Sequence, residues 1–277
     1  MKRRQSGMTL VEVMVTLVIV GVITAGIVGF FAHYRASSHQ QEDVVSLQNN
    51  LRAASDHITS QLRRAGYGMP QSMLPLWVDW VDGFQANPQV TAGASAADPD
   101  TLTVASCTAR PVAYVAETLA AGVANTTVML ESALSGKGIA ELIDPASGRG
   151  LIRFGAGASL TGGFALVTAT PGAGTTAAVL IDTDPGTAGN QGFAARSFFP
   201  GTPVCRVDVV TYTVDRTARS LKIDEHHGDG PQAAFDGFTN LKITGTAPTL
   251  AITVTGETDS PPVVSRSLRT DVSTRNP

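Results

Sequence analysis

The sequence predicts an α+β fold: one long N-terminal helix, with a membrane half and an amphipathic half, packed on an antiparallel β-sheet head. Three observations carry that expectation. Residues 13 to 32 include no charged side chain. Apolar residues then recur at gaps of three or four up to Ala65, the spacing of a helix with one buried face. Beyond residue 69 the pattern changes to strand-like alternation interrupted by stretches rich in Gly, Ala, Thr and Pro.

Composition sets the frame. A chain of 277 residues with 43% apolar content suits one sizeable domain with an appendage. The formal charge of −3 and a pI near 5.9 give no bulk reason to expect nucleic-acid binding. Charged residues make up only 16% while glycine occurs 28 times, a balance suited to a loop-rich β protein.

The first element is the helix. Lys2, Arg3 and Arg4 form a basic cluster ahead of the stretch SGMTLVEVMVTLVIVG. From Val13 to Ala32 the apolar run covers 20 residues, about 30 Å as a helix and enough to cross a bilayer. The basic cluster orients the N-terminus toward the cytoplasm. A secretory signal would have a shorter apolar core followed by a small-residue cleavage site, and no A-x-A follows this one. A plain single-pass anchor accounts for the run but leaves Glu12 unexplained. A carboxylate in the membrane costs about 2.5–3.5 kcal/mol on insertion scales, so it needs a partner.

Gly7-Met8-Thr9-Leu10-Val11-Glu12, followed by the long apolar run, resembles the class III signal of type IV prepilins and type II secretion pseudopilins. The resemblance implies that a prepilin peptidase cuts on the cytoplasmic side between Gly7 and Met8 and methylates the new amine of Met8. Residues 1–7 would then be a leader, 8–35 the transmembrane and assembly helix, 36–68 its amphipathic continuation and 69–277 an extracytoplasmic head. Met8 stands where phenylalanine is commoner. The membrane half also lacks the proline usual in major pilins, leaving Gly21, Gly26 and Gly29 as its helix-weakening residues. These glycines either ease bending when the helix is extracted or allow another helix to approach closely.

Cleavage after Gly7 would create an ammonium one helical turn before Glu12. Between staggered subunits, the amine of one helix can meet the carboxylate of its neighbour in low dielectric, where pairing is strong and register-specific. Glu12 is therefore expected to be an assembly residue; a tolerated interfacial acid is the alternative.

Past Arg35 the apolar stripe consists of Val44, Leu47, Leu51, Ala54, Ile58, Leu62 and Ala65, with Gln48, Asn49, Arg52, Asp56, Gln61 and Arg63 on a solvated face. Gly66-Tyr67-Gly68 supplies a stop. A continuous helix from Thr9 to Ala65 would be about 85 Å long. Its stripe is expected to pack on the chain's own sheet rather than in a self-pairing coiled coil. The segment Gln61-Leu62-Arg63-Arg64-Ala65-Gly66-Tyr67-Gly68 is similar to minor pilins of the PilW kind and to J-type minor pseudopilins. Arg63 and Arg64 read as cations favoured in a last helical turn rather than as a binding patch.

Candidate strands in the head are 101–106, 127–131, 151–154, 164–168, 177–181, 204–214, 220–224, 241–244, 250–255 and 263–272, with a hairpin connection at 215–219. Loops are expected at 83–100, 155–163, 170–176 and 183–192. The tail from Arg266 to Asn276 resembles the closing strand of minor pilins. An extracytoplasmic head permits disulfides. Cys107 and Cys205 are expected to pair, closing a loop worth about 4–5 kcal/mol in the chain-entropy model; two separate buried thiols are the alternative.

Signatures of catalysis are thin. The sequence has no G-x-S-x-G, C-x-x-C, H-E-x-x-H or G-x-x-x-x-G-K-[ST]. Asp182 and Asp184 open like a calcium loop, but no acid completes it in register. Asp224, Glu225, His226, His227 and Asp229 read as a solvated hairpin loop, because adjacent side chains point apart. Trp77 and Trp80 suit core packing better than an exposed contact patch. No enzyme, metal or cofactor is expected. The resemblance implies a minor pilin that joins a type IV pilus and helps prime or cap it. A minor pseudopilin of a type II secretion system and a filament-tip binding module remain open. The implied partners are other pilin subunits, the prepilin peptidase and the inner-membrane assembly platform. The implied location is the inner membrane, head outside, and then the filament, toward its tip.

Overall fold

The computed structural model describes residues 10–66, 76–78, 81–84, 87–107, 111–120, 126–132, 150–155, 163–167, 176–182, 197–226, 230–246 and 248–274. One helix, α1 (Leu10–Arg64), comes first. Nine strands follow it: β1 (Leu76–Val78), β2 (Val81–Phe84), β3 (Gln89–Thr91), β4 (Thr101–Cys107), β5 (Ala113–Val115), β6 (Thr126–Ser132), β7 (Gly150–Phe154), β8 (Gly163–Val167) and β9 (Thr176–Asp182). The C-terminal part adds β10 (Pro203–Asp215), β11 (Ser220–Asp224), β12 (Gln232–Asp236), β13 (Phe238–Thr246), β14 (Thr249–Glu257) and β15 (Ser265–Ser273). The fold is therefore α+β, with a long helix and antiparallel sheets.

The helix stops where its sequence changes character. Ala65 N–H bonds back to the Leu62 carbonyl, and Gly66 turns left-handed at φ 73° and donates its N–H to the Ala105 carbonyl of β4 at 3.1 Å. Leu47, Leu51, Ala54, Ile58, Leu62 and Ala65 are all buried, as the spacing requires, while Val44 is half-buried. This face packs against two sheets at once: Leu102, Tyr212 and Leu221 of the larger one, and Leu241, Ile252 and Val254 of the three-stranded sheet β13-β14-β15. Side-chain bonds fix the docking, with Tyr212 Oη and His57 Nδ1 at 2.9 Å and Ser55 Oγ and Thr270 Oγ1 at 2.8 Å.

The larger sheet contains a feature absent from the sequence reading. Strand β10 is 13 residues long and belongs to two structures. Its C-terminal part pairs with β4 over Val207–Tyr212 and with β11 over Thr211–Asp215. Its N-terminal part pairs with β5 at Pro203 and Val204, and with β7 over Val204–Val207. From β5 the pairing runs through β6, β9, β8 and β7 and returns to β10, so six strands close on themselves. Inside this small barrel, Val115, Leu130, Ile152, Phe154, Phe198 and Val204 form a second core that contains no residue of α1.

Three expected loops need correction. The 83–100 stretch contains the end of β2 and all of β3, which pairs Gln89–Thr91 with Thr101–Thr103. Gly163 and Thr176 begin β8 and β9, so the expected loops at 155–163 and 170–176 each end one residue too late, while 156–162 and 170–175 lie outside the described residues. The 183–192 stretch lies outside the described residues.

Candidate assembly site

The site is the exposed half of α1. Glu12 lies in the first described turn and is exposed. From Leu10 to Tyr34 the large apolar side chains stand out from the fold; Leu10 is 77% exposed and Phe30 68%. So long an apolar surface is stable only in lipid or against other chains. The hydroxyls within it are satisfied locally: Thr16 Oγ1 donates to the Glu12 and Val13 carbonyls at 2.9 Å, and Thr24 Oγ1 to the Val20 carbonyl at 2.7 Å. Phe30 stacks on Tyr34 and meets Phe31 edge-on, an aromatic group where the span gives way to Arg35.

The helix runs unbroken through Gly21, Gly26 and Gly29, and a Cβ built on any of the three meets nothing within 4 Å. No contact among the described residues therefore demands glycine there. Gly7 and Met8 lie outside the described residues.

A series of contacts along α1 fixes the direction of the head. Gln40 bonds Pro261, a methyl at Gly237 would meet Leu47, and Asn50 bonds Asp236. Ser55 then bonds Thr270, His57 bonds Tyr212, and Gly66 bonds Ala105. Val209 of β10 is the partner of Ala105, so β10 meets the far end of the helix there and continues six residues further to Pro203. At about 3.3 Å per residue those six residues are about 20 Å of strand, and they lead into the barrel, whose core takes in no residue of α1.

Electrostatic contacts staple the head together. Asp100, only 5% exposed, receives Lys242 Nζ at 2.8 Å, the Ile243 N–H at 2.9 Å and the Gly93 N–H at 3.1 Å, joining the larger sheet to β13. Burial by itself would raise the Asp100 carboxyl, but the Lys242 ammonium and the two N–H groups together hold it below the usual carboxylate range. Burial pushes the Tyr212 phenol up, helped by the charge of Glu225. Burial also pulls the Arg153 guanidinium in the barrel wall down to about 10. Cys107 and Cys205 form a disulfide with Cα atoms 5.7 Å apart. It lies where β10 exchanges β4 for β5, at the neck between the two cores.

The remaining candidates scatter. Trp77 falls on β1 and Asp182 on β9, but their side chains, with Trp80, Asp184, His227 and Asp229, lie outside the described ones. His226 is not solvated as expected. It adopts φ 56°, and its Nε2 lies 2.8 Å from Thr211 Oγ1, so its ring lies against β10. Among the described residues no three His, Cys, Asp or Glu side chains gather around a possible metal. Arg63 and Arg64 occupy the last turn of α1, as expected.

Residues 2–28 match the family model of the prokaryotic N-terminal methylation motif. This prepilin-type motif supports the pilin and pseudopilin class and points to a structural subunit. Together with α1, which among the described residues is the one helix long and apolar enough to cross a membrane, it fits inner-membrane anchoring. No curated protein and no solved structure matches the chain.

Proposed function

We propose that the chain is a minor pilin, a low-copy subunit that enters a type IV pilus through α1 and occupies or primes its tip. The observation that carries this reading is the barrel extending past the end of the assembly helix. Where subunits stack with their helices along the filament axis, the next subunit outward sits above that end of the head. A lobe about 20 Å long competes for the same space, which suits a terminal position and not a repeating one.

In this reading Gly7 and Met8 bracket the cleavage site, Met8 carries the methylated amine, and Glu12 pairs with the amine of a neighbouring subunit. Glycines 21, 26 and 29 serve the helix during extraction or packing. A minor pseudopilin of a secretion system would use the same helix and differ in what the head meets. The test is to shear filaments from cells and analyse them by mass spectrometry. The expected result is this chain at low stoichiometry, beginning at N-methylated Met8. Copy number equal to the major subunit would refute the minor role, and a chain retaining residues 1–7 would refute the processing.

A further inference from the structure

We propose that the tip of the β14–β15 loop, Pro261-Pro262-Val263, rests on the lipid headgroup layer of the membrane that α1 crosses, bracing the head while the helix resides in the bilayer. This inference depends on the membrane reading of α1 given above.

The loop is apolar where a loop tip is ordinarily polar. Pro261, Pro262 and Val263 are consecutive and exposed, Val263 to 53%. The base of the loop, in contrast, is fully bonded. Thr258 N–H donates to the Val264 carbonyl at 3.1 Å, Val264 N–H donates to Thr258 Oγ1 at 2.9 Å, and Thr258 is buried. Arg219 reaches over from the β10–β11 hairpin to the Thr258 carbonyl and to Asp259 Oδ1 at 3.1 Å. A tip held this firmly presents its apolar atoms in one fixed direction. The same ion pair offsets the charge of Asp259, the exposed acid beside the tip, and so reduces its repulsion from anionic lipid.

The position follows from Gln40, whose Nε2 donates to the Pro261 carbonyl at 3.3 Å. Gln40 is eight residues past Ala32, the last residue of the apolar run, which places it about 12 Å further along the axis. The headgroup layer covers about 5–8 Å beyond the hydrocarbon on each side. Pro262 and Val263 therefore need to span only the remaining few ångströms, and a modest helix tilt toward the loop closes the gap.

The experiment uses the full chain with its native disulfide intact and one introduced cysteine carrying an environment-sensitive fluorophore. The sites are Val263→Cys at the tip, Leu17→Cys within the span and Phe199→Cys beside the start of β10. Each protein is reconstituted into phosphatidylethanolamine–phosphatidylglycerol vesicles containing lipids with a nitroxide either on the headgroup or deep in the acyl chain. The expected result is that headgroup nitroxide quenches position 263 several-fold more than position 199, while deep nitroxide quenches position 17. Quenching at 17 with none at 263 overturns the inference and leaves the membrane reading standing, pointing instead to a neighbouring subunit as the partner of the loop. Absence of quenching at 17 overturns both.

Discussion

Removing the neck disulfide tests the two-core architecture quantitatively. Cys107 and Cys205 are 98 residues apart and enclose almost the whole barrel. In the chain-entropy model a loop of about 100 residues restricts the unfolded state by about 4.7 kcal/mol. The native state loses little when the bond is replaced by two serines, because β4 and β10 remain paired from Cys107↔Val207 to Leu102↔Tyr212. The Cys107→Ser, Cys205→Ser double variant should therefore fold and be less stable by about 4–5 kcal/mol. With a urea slope of about 3 kcal/mol/M, the midpoint falls by about 1.5 M. Urea unfolding of both proteins in the same detergent, followed by circular dichroism, gives the comparison. A difference below about 1 kcal/mol would refute the reasoning, since the unfolded chain would then gain no freedom from the open loop.

Further perturbations probe the contacts that orient the head. Ile58 is fully buried between α1 and both sheets, so Ile58→Ala should cost about 2–5 kcal/mol in the same assay. Gly237 adopts φ 85° and a methyl there would meet Leu47 Cδ1 at 2.9 Å; Gly237→Ala should cost about 1–3 kcal/mol, and no measurable loss would contradict the close approach. Asp100 has a lowered pKa when folded, so its contribution is present above the unfolded value of about 3.9 and is lost as pH falls through the folded value. Melting temperatures measured from pH 7 down to acid should show a loss at the low end that Asp100→Asn diminishes.

Much of this architecture was legible because helical periodicity is local. The stripe from Leu47 to Ala65 and the glycine stop specified a buried face and an end, and both are present. The alternation of Val207 to Val214 marks the C-terminal part of β10 as a strand, and it is weaker elsewhere. Strand β12, Gln-Ala-Ala-Phe-Asp, has no β-branched residue, and β3 and β5 are three residues each; only their pairing with neighbours makes them strands. Closure of the barrel depends on β10 meeting β5 and β7 across long separations, which no local pattern records. His226 was misplaced for a similar reason, since its partner Thr211 belongs to the opposite strand. The apolar half of α1 is the most legible part, because one acid ahead of an uninterrupted apolar run is a physical anomaly within a single segment.

If Glu12 finds its counter-ion on a neighbouring subunit, as proposed above, then Glu12→Ala separates membrane insertion from incorporation into filaments. Membrane fractionation should show the variant inserted as well as the parent chain, because one fewer carboxylate in an apolar span favours insertion. Immunodetection in sheared filaments should show incorporation sharply reduced. Incorporation equal to the parent would contradict the account, leaving Glu12 a tolerated acid at the edge of the bilayer.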